Sequence, residues 1–289
     1  MRSHLADFDV ACPRSLAEAL ALLAEGAAKP GSVTPLAGAT DLYVLLNAGH
    51  LPPTRFVSLS GIPELSRAAS WDEGRYTMFA LTTYTETRHD ARVAAELPLL
   101  VSAARELGAL QIQNRGTWAG YIANASPAAD GVPALLAYDA VVELASVRGR
   151  RWIALADYFT GYKQTLRAPD ELITAVTAQV PATGARQYWR KVGARKLQAI
   201  SKVVAAGVLE LGPGGVVTRV RLALGSVAPI PLRARKVEQA VTGQPLGTAT
   251  TEAALEALAH DIAPIDDVRS TRDYRMRIAR NLVRAFLAS

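Results

Sequence analysis

The chain has 289 residues, half of them hydrophobic, with 32 Lys plus Arg against 26 Asp plus Glu for a formal net charge of +6. That length and apolar content support one large core or two medium ones and exclude a disordered or collagen-like chain. The basic excess is mild: it suits anionic ligands or acidic partner surfaces and by itself specifies neither.

Cys12 is the only cysteine, which excludes a disulfide, a cysteine-ligated iron–sulfur cluster and a structural zinc site within the chain. His4, His50, His89 and His260 are scattered without metal-ligand spacing, and each reads as a surface histidine. The first residues, MRSHLADFDVACPRS, carry acids where a signal peptide needs an apolar run, and no uncharged stretch is long enough to cross a bilayer. A soluble cytoplasmic protein is expected.

In chain order, SLAEALALLAEG predicts a helix with Ser15 as N-cap, a capping box completed by Glu18, Leu16, Leu20 and Leu23 on one face, and a stop at Gly26. SVTPLAGATDLYVLLNAG then predicts a short buried strand through Leu36 and Ala37, a tight turn over residues 38–41, and a short helix ending near Gly49. RFVSLS, RYTMFALTTY and AVVELAS read as strands, and ELPLLVSAARELG as a helix with Leu97, Leu100, Val101, Ala104 and Leu107 inward. Helix and strand mix without a regular βαβ repeat.

Residues 114–130, NRGTWAGYIANASPAAD, are small or uncharged except for Arg115 and Asp130, a composition suited to neither a packed helix nor a long strand. They read as backbone shaped around a ligand. DYFTGYKQTLRAPDELITAVTAQV follows as a loop and a strand starting near Leu172, and Pro181, Thr183 and Gly184 mark a linker. Beyond it, the strand VVTRVRLALGSV and two helices within residues 236–288 predict a compact α+β domain. Arg269, Arg272, Arg275, Arg277, Arg280 and Arg284 alternate with apolar residues at helical spacing; without an aromatic stacking platform they read as a solvated or partner-facing side, not a nucleic-acid grip.

Strand, small-residue turn and helix make an anion-binding geometry, because first-turn N–H groups are unpaired and carry the positive end of the helix dipole. Two such turns, LAGATD and TWAGYIANASPAAD, could cradle one diphosphate, with Thr117, Asn124 and Ser126 as neutral hydrogen-bonding groups and Asp130 accepting from ribose or ribityl hydroxyls. No Ser/His/Asp set or carboxylate pair is visible, and GxGxxG is absent, so a dinucleotide would be held by another device than the Rossmann turn. Asn124 and Ser126 also fit an N-glycosylation pattern, which is discounted without a secretory signal.

LAGATDL, QIQNRGTWAGYIANASPAADGVPALLAYDA, DYFTGYKQTLRAPDELI, RKVGARKLQAISKV and the ending APIDDVRSTRDYRMRIARNLVRAFL together resemble the FAD-binding subunit of the molybdenum hydroxylases, the xanthine dehydrogenase and carbon monoxide dehydrogenase family. The resemblance runs essentially end to end. It implies an α+β chain with a two-part FAD-binding domain over residues 1–180 and a smaller α+β domain over residues 185–289. It implies further that Ala37, Gly38, Ala39, Thr40 and Asp41 line the FAD diphosphate and that Thr117, Ala119, Gly120 and Tyr121 form the second wall. Asn124 and Asp130 would hold hydroxyls or adenosine, Ile173 would pack beside the isoalloxazine, and Lys191 would sit near the flavin ring, where a cation stabilises the reduced form.

The family usually shows Gly-Gly where this chain has Gly38-Ala39, and Gly-Gly-Asn or Gly-Gly-Asp where it has Ala119-Gly120-Tyr121. An alanine at positive φ costs about 1–2 kcal/mol, and the Tyr121 ring is expected to shift or weaken FAD. The implied function is redox relay in a multi-subunit enzyme. The molybdenum cofactor and [2Fe-2S] clusters lie on partner subunits, in a dimer of heterotrimers, and NAD+ or another acceptor takes the electrons. GARKLQAISKV hints at an N-heterocycle as the substrate of the assembly. Two other readings stay open, a self-standing FAD oxidase or dehydrogenase and a flavin-free basic scaffold.

Overall fold

The computed structural model describes residues 8–29, 31–50, 54–195 and 198–289; His4, and Lys196 and Leu197 of the GARKLQAISKV stretch, lie outside them. The chain begins with β1 (Val10–Ala11), α1 (Leu16–Gly26), β2 (Val33–Leu36), α2 (Thr40–Asn47) and β3 (Arg55–Ser58). The three strands form a parallel sheet in the order β1-β3-β2. This is a small βαβαβ unit: α1, β2, α2 and β3 stand where the sequence predicts them, and the two-residue β1 was not expected. In α1, Ser15 Oγ accepts from the Glu18 N–H at 3.2 Å, but the Glu18 carboxylate accepts from the Arg14 N–H, so half of the expected capping box forms. Leu16, Ala19, Leu20 and Leu23 are its buried face.

A second layer follows: β4 (Ser70–Asp72), β5 (Arg75–Phe79), α3 (Tyr84–His89), α4 (Ala91–Glu96), α5 (Pro98–Glu106), α6 (Leu110–Gln113), α7 (Trp118–Ala123), α8 (Val132–Ala137), β6 (Val141–Ser146), β7 (Gly149–Ala154), α9 (Leu155–Tyr158), a β8–β9 hairpin (Phe159–Gly161 and Gln164–Thr165) and β10 (Leu172–Gln179). Five of these strands make an antiparallel sheet in the order β4-β5-β10-β6-β7. The central strand β10 is almost continuously buried because the layer covers both its faces. Helix α8 is buried on every side, as its sequence VPALLA requires.

The last part comprises β11 (Arg186–Gly193), β12 (Ser201–Leu211), β13 (Val217–Gly225), β14 (Leu232–Arg233), α10 (Arg235–Val241), α11 (Thr248–Leu258) and α12 (Arg272–Ala288), so three helices stand where two were expected. Strand β12 shows why this sheet lies between two cores. Ala206 and Val208 face the core shared with the second layer, whereas Val203, Ala205 and Leu209 face the core under the C-terminal helices, the period-two alternation of a strand packed on both sides. Along α12, Arg272, Arg277 and Arg284 are exposed as expected. Arg275 is not: it is buried, donates to the Ser226 carbonyl at 2.7 Å and pairs with Asp267 at 2.7 Å. His50, His89 and His260 are exposed.

Candidate cofactor site

A cleft of about 270 Å³, open to solvent at its mouth, lies between the parallel β1-β3-β2 layer and the second layer. Its first wall is the turn from β2 into α2. Ala39 precedes the helix with left-handed backbone, φ 62° and ψ 5°, so the strain anticipated for an alanine here is real and costs about 1–2 kcal/mol. The N–H groups of the first turn have no earlier helical turn to bond to. Helix α2 buries none of its residues, and Tyr43 and Val44 are exposed.

The second wall is anchored differently. Residues 114–130 are not loop throughout: α7 forms inside them, because Thr117 caps it, its hydroxyl accepting from the Gly120 N–H at 3.0 Å. The Thr117 hydroxyl is therefore engaged in holding the helix. Trp118 is fully buried and its indole N–H donates to the Thr87 hydroxyl at 2.8 Å. Ala119 lies within α7, and among the described residues the left-handed alanines are Ala39 and Ala125, so Ala119 carries none of the strain considered for it.

The two walls touch through backbone. A Cβ built on Gly38 would lie 1.8 Å from the Arg115 carbonyl oxygen, so only glycine allows this approach. They are also joined by a side-chain bond, Asn124 Nδ2 donating to Asp41 Oδ1 at 3.1 Å. Solvent reaches Asp41, yet the atoms crowding its carboxyl in the cleft desolvate it and raise its pKa against the opposing charge of Lys163. Tyr84 packs edge-on against both Trp118 and Tyr121, and burial, aided by the Asp41 charge, pushes its phenol well above the usual tyrosine range.

The floor comes from the five-stranded sheet. Leu172 and Ile173 of β10 and Ala80 after β5 are apolar, and a register shift between Ile173 and Ala175 bends β10 beside the cleft. The loop before β10 contributes Arg167 and Glu171. Arg151 binds Glu171 through two contacts, 2.6 and 2.7 Å, and the Ala168 N–H donates to it at 2.7 Å. Burial would raise the Glu171 pKa, but these bonds outweigh it and hold the group below its ordinary value.

Of the residues nominated from sequence, Ala37, Gly38, Ala39, Thr40, Asp41, Thr117, Ala119, Gly120, Tyr121, Asn124 and Ile173 line this cleft. Ser126, Asp130 and Lys191 are not among the residues lining it. Ser126 Oγ accepts from the Ala128 N–H at 3.3 Å. Lys191 and Asp130 form an ion pair at 2.7 Å with both side chains buried, and the Lys191 ammonium also reaches the Glu106 carbonyl at 3.5 Å. Burial raises the Asp130 pKa, and the Lys191 charge opposes the shift. The Asp130 N–H donates to the Tyr121 hydroxyl at 2.6 Å, and its carbonyl accepts from the Trp189 indole at 3.4 Å. Tyr121 is thus part of the wall's support, its ring packed against Tyr84 and its hydroxyl tied to the backbone.

Tyr84, Arg167, Glu171 and Leu172 were missed. Arg167 and Glu171 sit in the RAPDELI stretch singled out from sequence, but a charge beside a proline reads as an ordinary loop until the strand it precedes is placed. Among the described residues no cluster of three or more His, Cys, Asp or Glu is placed to hold a metal, and no helix is long and apolar enough to cross a membrane.

The cleft fits a dinucleotide with a flat apolar ring: two backbone turns meet where a Cβ would intrude, and an apolar floor lies beside them. Residues 6–183 match the family model of the FAD binding domain in molybdopterin dehydrogenase, and residues 188–289 that of the CO dehydrogenase flavoprotein C-terminal domain. The chain belongs to this family of FAD-binding oxidoreductase subunits. It is 33% identical over 281 residues to the carbon monoxide dehydrogenase medium chain of Afipia carboxidovorans, covering 96% of this chain and 94% of that one. It is 31% identical over 258 residues to the nicotinate dehydrogenase FAD-subunit of Eubacterium barkeri, covering 88% and 86%. A solved structure of carbon monoxide dehydrogenase from Hydrogenophaga pseudoflava, lacking the Mo-pyranopterin moiety of its molybdenum cofactor, matches with a TM-score of 0.90 at 29% identity over 96% of this chain and 95% of that chain.

Proposed function

We propose that this chain holds FAD as the electron-transfer subunit of a molybdenum hydroxylase assembly. The observation that carries the reading is the Gly38–Arg115 backbone approach, which closes two small-residue turns around one cleft in a chain of this family. Bound FAD supplies redox chemistry that protein side chains lack. In this reading the turns at residues 37–41 and 117–121 hold the diphosphate through main-chain N–H groups and the dipole of α2. Asn124 fixes Asp41 and keeps the mouth in shape. Ile173 and Leu172 exclude water from one face of the isoalloxazine. Asp130 and Lys191 act from outside the lining, holding Tyr121 and α7 against β11.

The electrons arrive from [2Fe-2S] clusters on one partner subunit, fed by a molybdenum cofactor on another, and leave to NAD+ or another acceptor. The single cysteine supports this division, since a chain with only Cys12 cannot ligate a cluster. The assembly is a dimer of heterotrimers working in the cytoplasm. Native purification tests it: the chain should co-purify with a molybdenum subunit and an iron–sulfur subunit and carry a flavin spectrum. A colourless preparation with its companions attached, refusing added FAD, overturns the proposal.

A further inference from the structure

We propose that Arg167 is the cation this cleft presents to bound FAD, and that it raises the reduction potential of the flavin. The inference rests on the FAD reading above. Lys191, the cation expected near the flavin ring, is committed elsewhere: its ammonium is buried against Asp130 and the Glu106 carbonyl. The charged residues lining the cleft, among those described, are Asp41, Arg167 and Glu171. Glu171 is neutralised by its two contacts with Arg151. Arg167 is therefore the positive charge of the lining.

Its position is built. Arg167 Nη1 donates to the Glu171 carbonyl at 2.7 Å and faces the Ala168 carbonyl at 3.4 Å, so the guanidinium folds over its own loop. The Arg148–Asp170 pair fastens the same loop to the sheet. From there the chain runs directly into Leu172 and Ile173, the apolar floor. The Tyr158 hydroxyl also lies beside the guanidinium, whose five N–H donors still exceed what these partners accept. Reduction places negative charge on the electron-rich edge of an isoalloxazine, and a half-buried cation beside that ring favours the reduced form in a medium less polarisable than water.

The test uses the native assembly, with FAD content and flavin midpoint potential measured for wild type, Arg167→Gln and Lys163→Ala. Lys163, exposed and outside the lining, acts on the cleft only through its charge on Asp41, so its removal reports what a positive charge at the mouth alone contributes. Arg167→Gln should retain FAD and lower the two-electron potential by about 30 mV, a tenfold loss in the preference for reduced flavin, while Lys163→Ala stays near wild type. If Arg167→Gln releases its flavin, Arg167→Leu, which keeps apolar contact along the stem, takes its place. An unchanged potential in a flavin-loaded Arg167 variant, or an equal drop in Lys163→Ala, overturns the assignment. Wild-type assembly without flavin overturns the cofactor reading itself, and this assignment with it.

Discussion

The two walls of the cleft offer the same chemistry, backbone N–H groups on small residues, from opposite structural circumstances. The first, at Gly38 to Asp41, is lightly held: its alanine is strained, and the helix it starts buries none of its residues. The second is set into the core, with Trp118 buried, Thr117 capping and Asp130 tying Tyr121 to the backbone. A site assembled this way has one rigid jaw and one that depends on contact with it. The glycine at residue 38 is where that contact is made.

If the second wall is the rigid jaw, its loss should be the most damaging. Trp118→Ala removes a fully buried indole and should cost about 3–5 kcal/mol, read by thermal or denaturant unfolding. Loss of flavin without loss of stability would break the comparison. Lys191→Met leaves Asp130 buried without its counter-charge and should cost about 3 kcal/mol or more, with Lys191→Met/Asp130→Leu recovering much of it. An additive double variant would show that the pair is not coupled.

Gly38→Ala drives a methyl into the Arg115 carbonyl and should cost about 1–3 kcal/mol in stability, with flavin content falling further than that loss explains. Normal flavin content in a folded Gly38→Ala protein would separate the walls from the cofactor. In the opposite direction, Ala39→Gly relieves left-handed strain of about 1–2 kcal/mol and gives back part of it as unfolded-chain entropy, for a net gain of about 0.5–1 kcal/mol in unfolding experiments.

The smallest effect is on pH. Asp41 has a raised pKa, so the protonated form is the one the folded cleft favours; its contribution is complete below the ordinary aspartate range near about 4 and disappears as pH rises through the raised value. An anionic ligand adds to the same preference. FAD affinity should therefore fall with rising pH across that window, by no more than about fivefold at so open a group. Titration of flavin binding in wild type and Asp41→Asn checks it, the variant giving a flatter profile.

Much of the first wall was legible because its signals are local. A short apolar run, a glycine turn and a helical stretch follow one another within residues 33–47, and the structure places β2, the turn and α2 there. The second wall was harder to read. WAGYIA contains Gly120 and aromatic and β-branched residues, weak helix formers, and it becomes helical through the Thr117 cap and the burial of Trp118 and Ile122, which are tertiary events. The same holds for Tyr121, whose ring reads as an obstruction until its hydroxyl is seen bonded to the Asp130 N–H. Arg275 reads as one of a solvated series, and only the fold shows it buried on Asp267.

Composition and motif order by themselves determined the α+β class, the absence of cluster ligands and the family, because these depend on residue identities and their sequence. The tertiary structure decided which charges face the cleft. Lys191 and Arg167 are both cations in nominated stretches, yet one is drawn into a buried pair with Asp130 while the other lines the cleft. The physical reason is that a buried ammonium must find a counter-charge, and whether a carboxylate stands within reach is set by the packing of β11 against the α7–α8 turn, residues far apart along the chain.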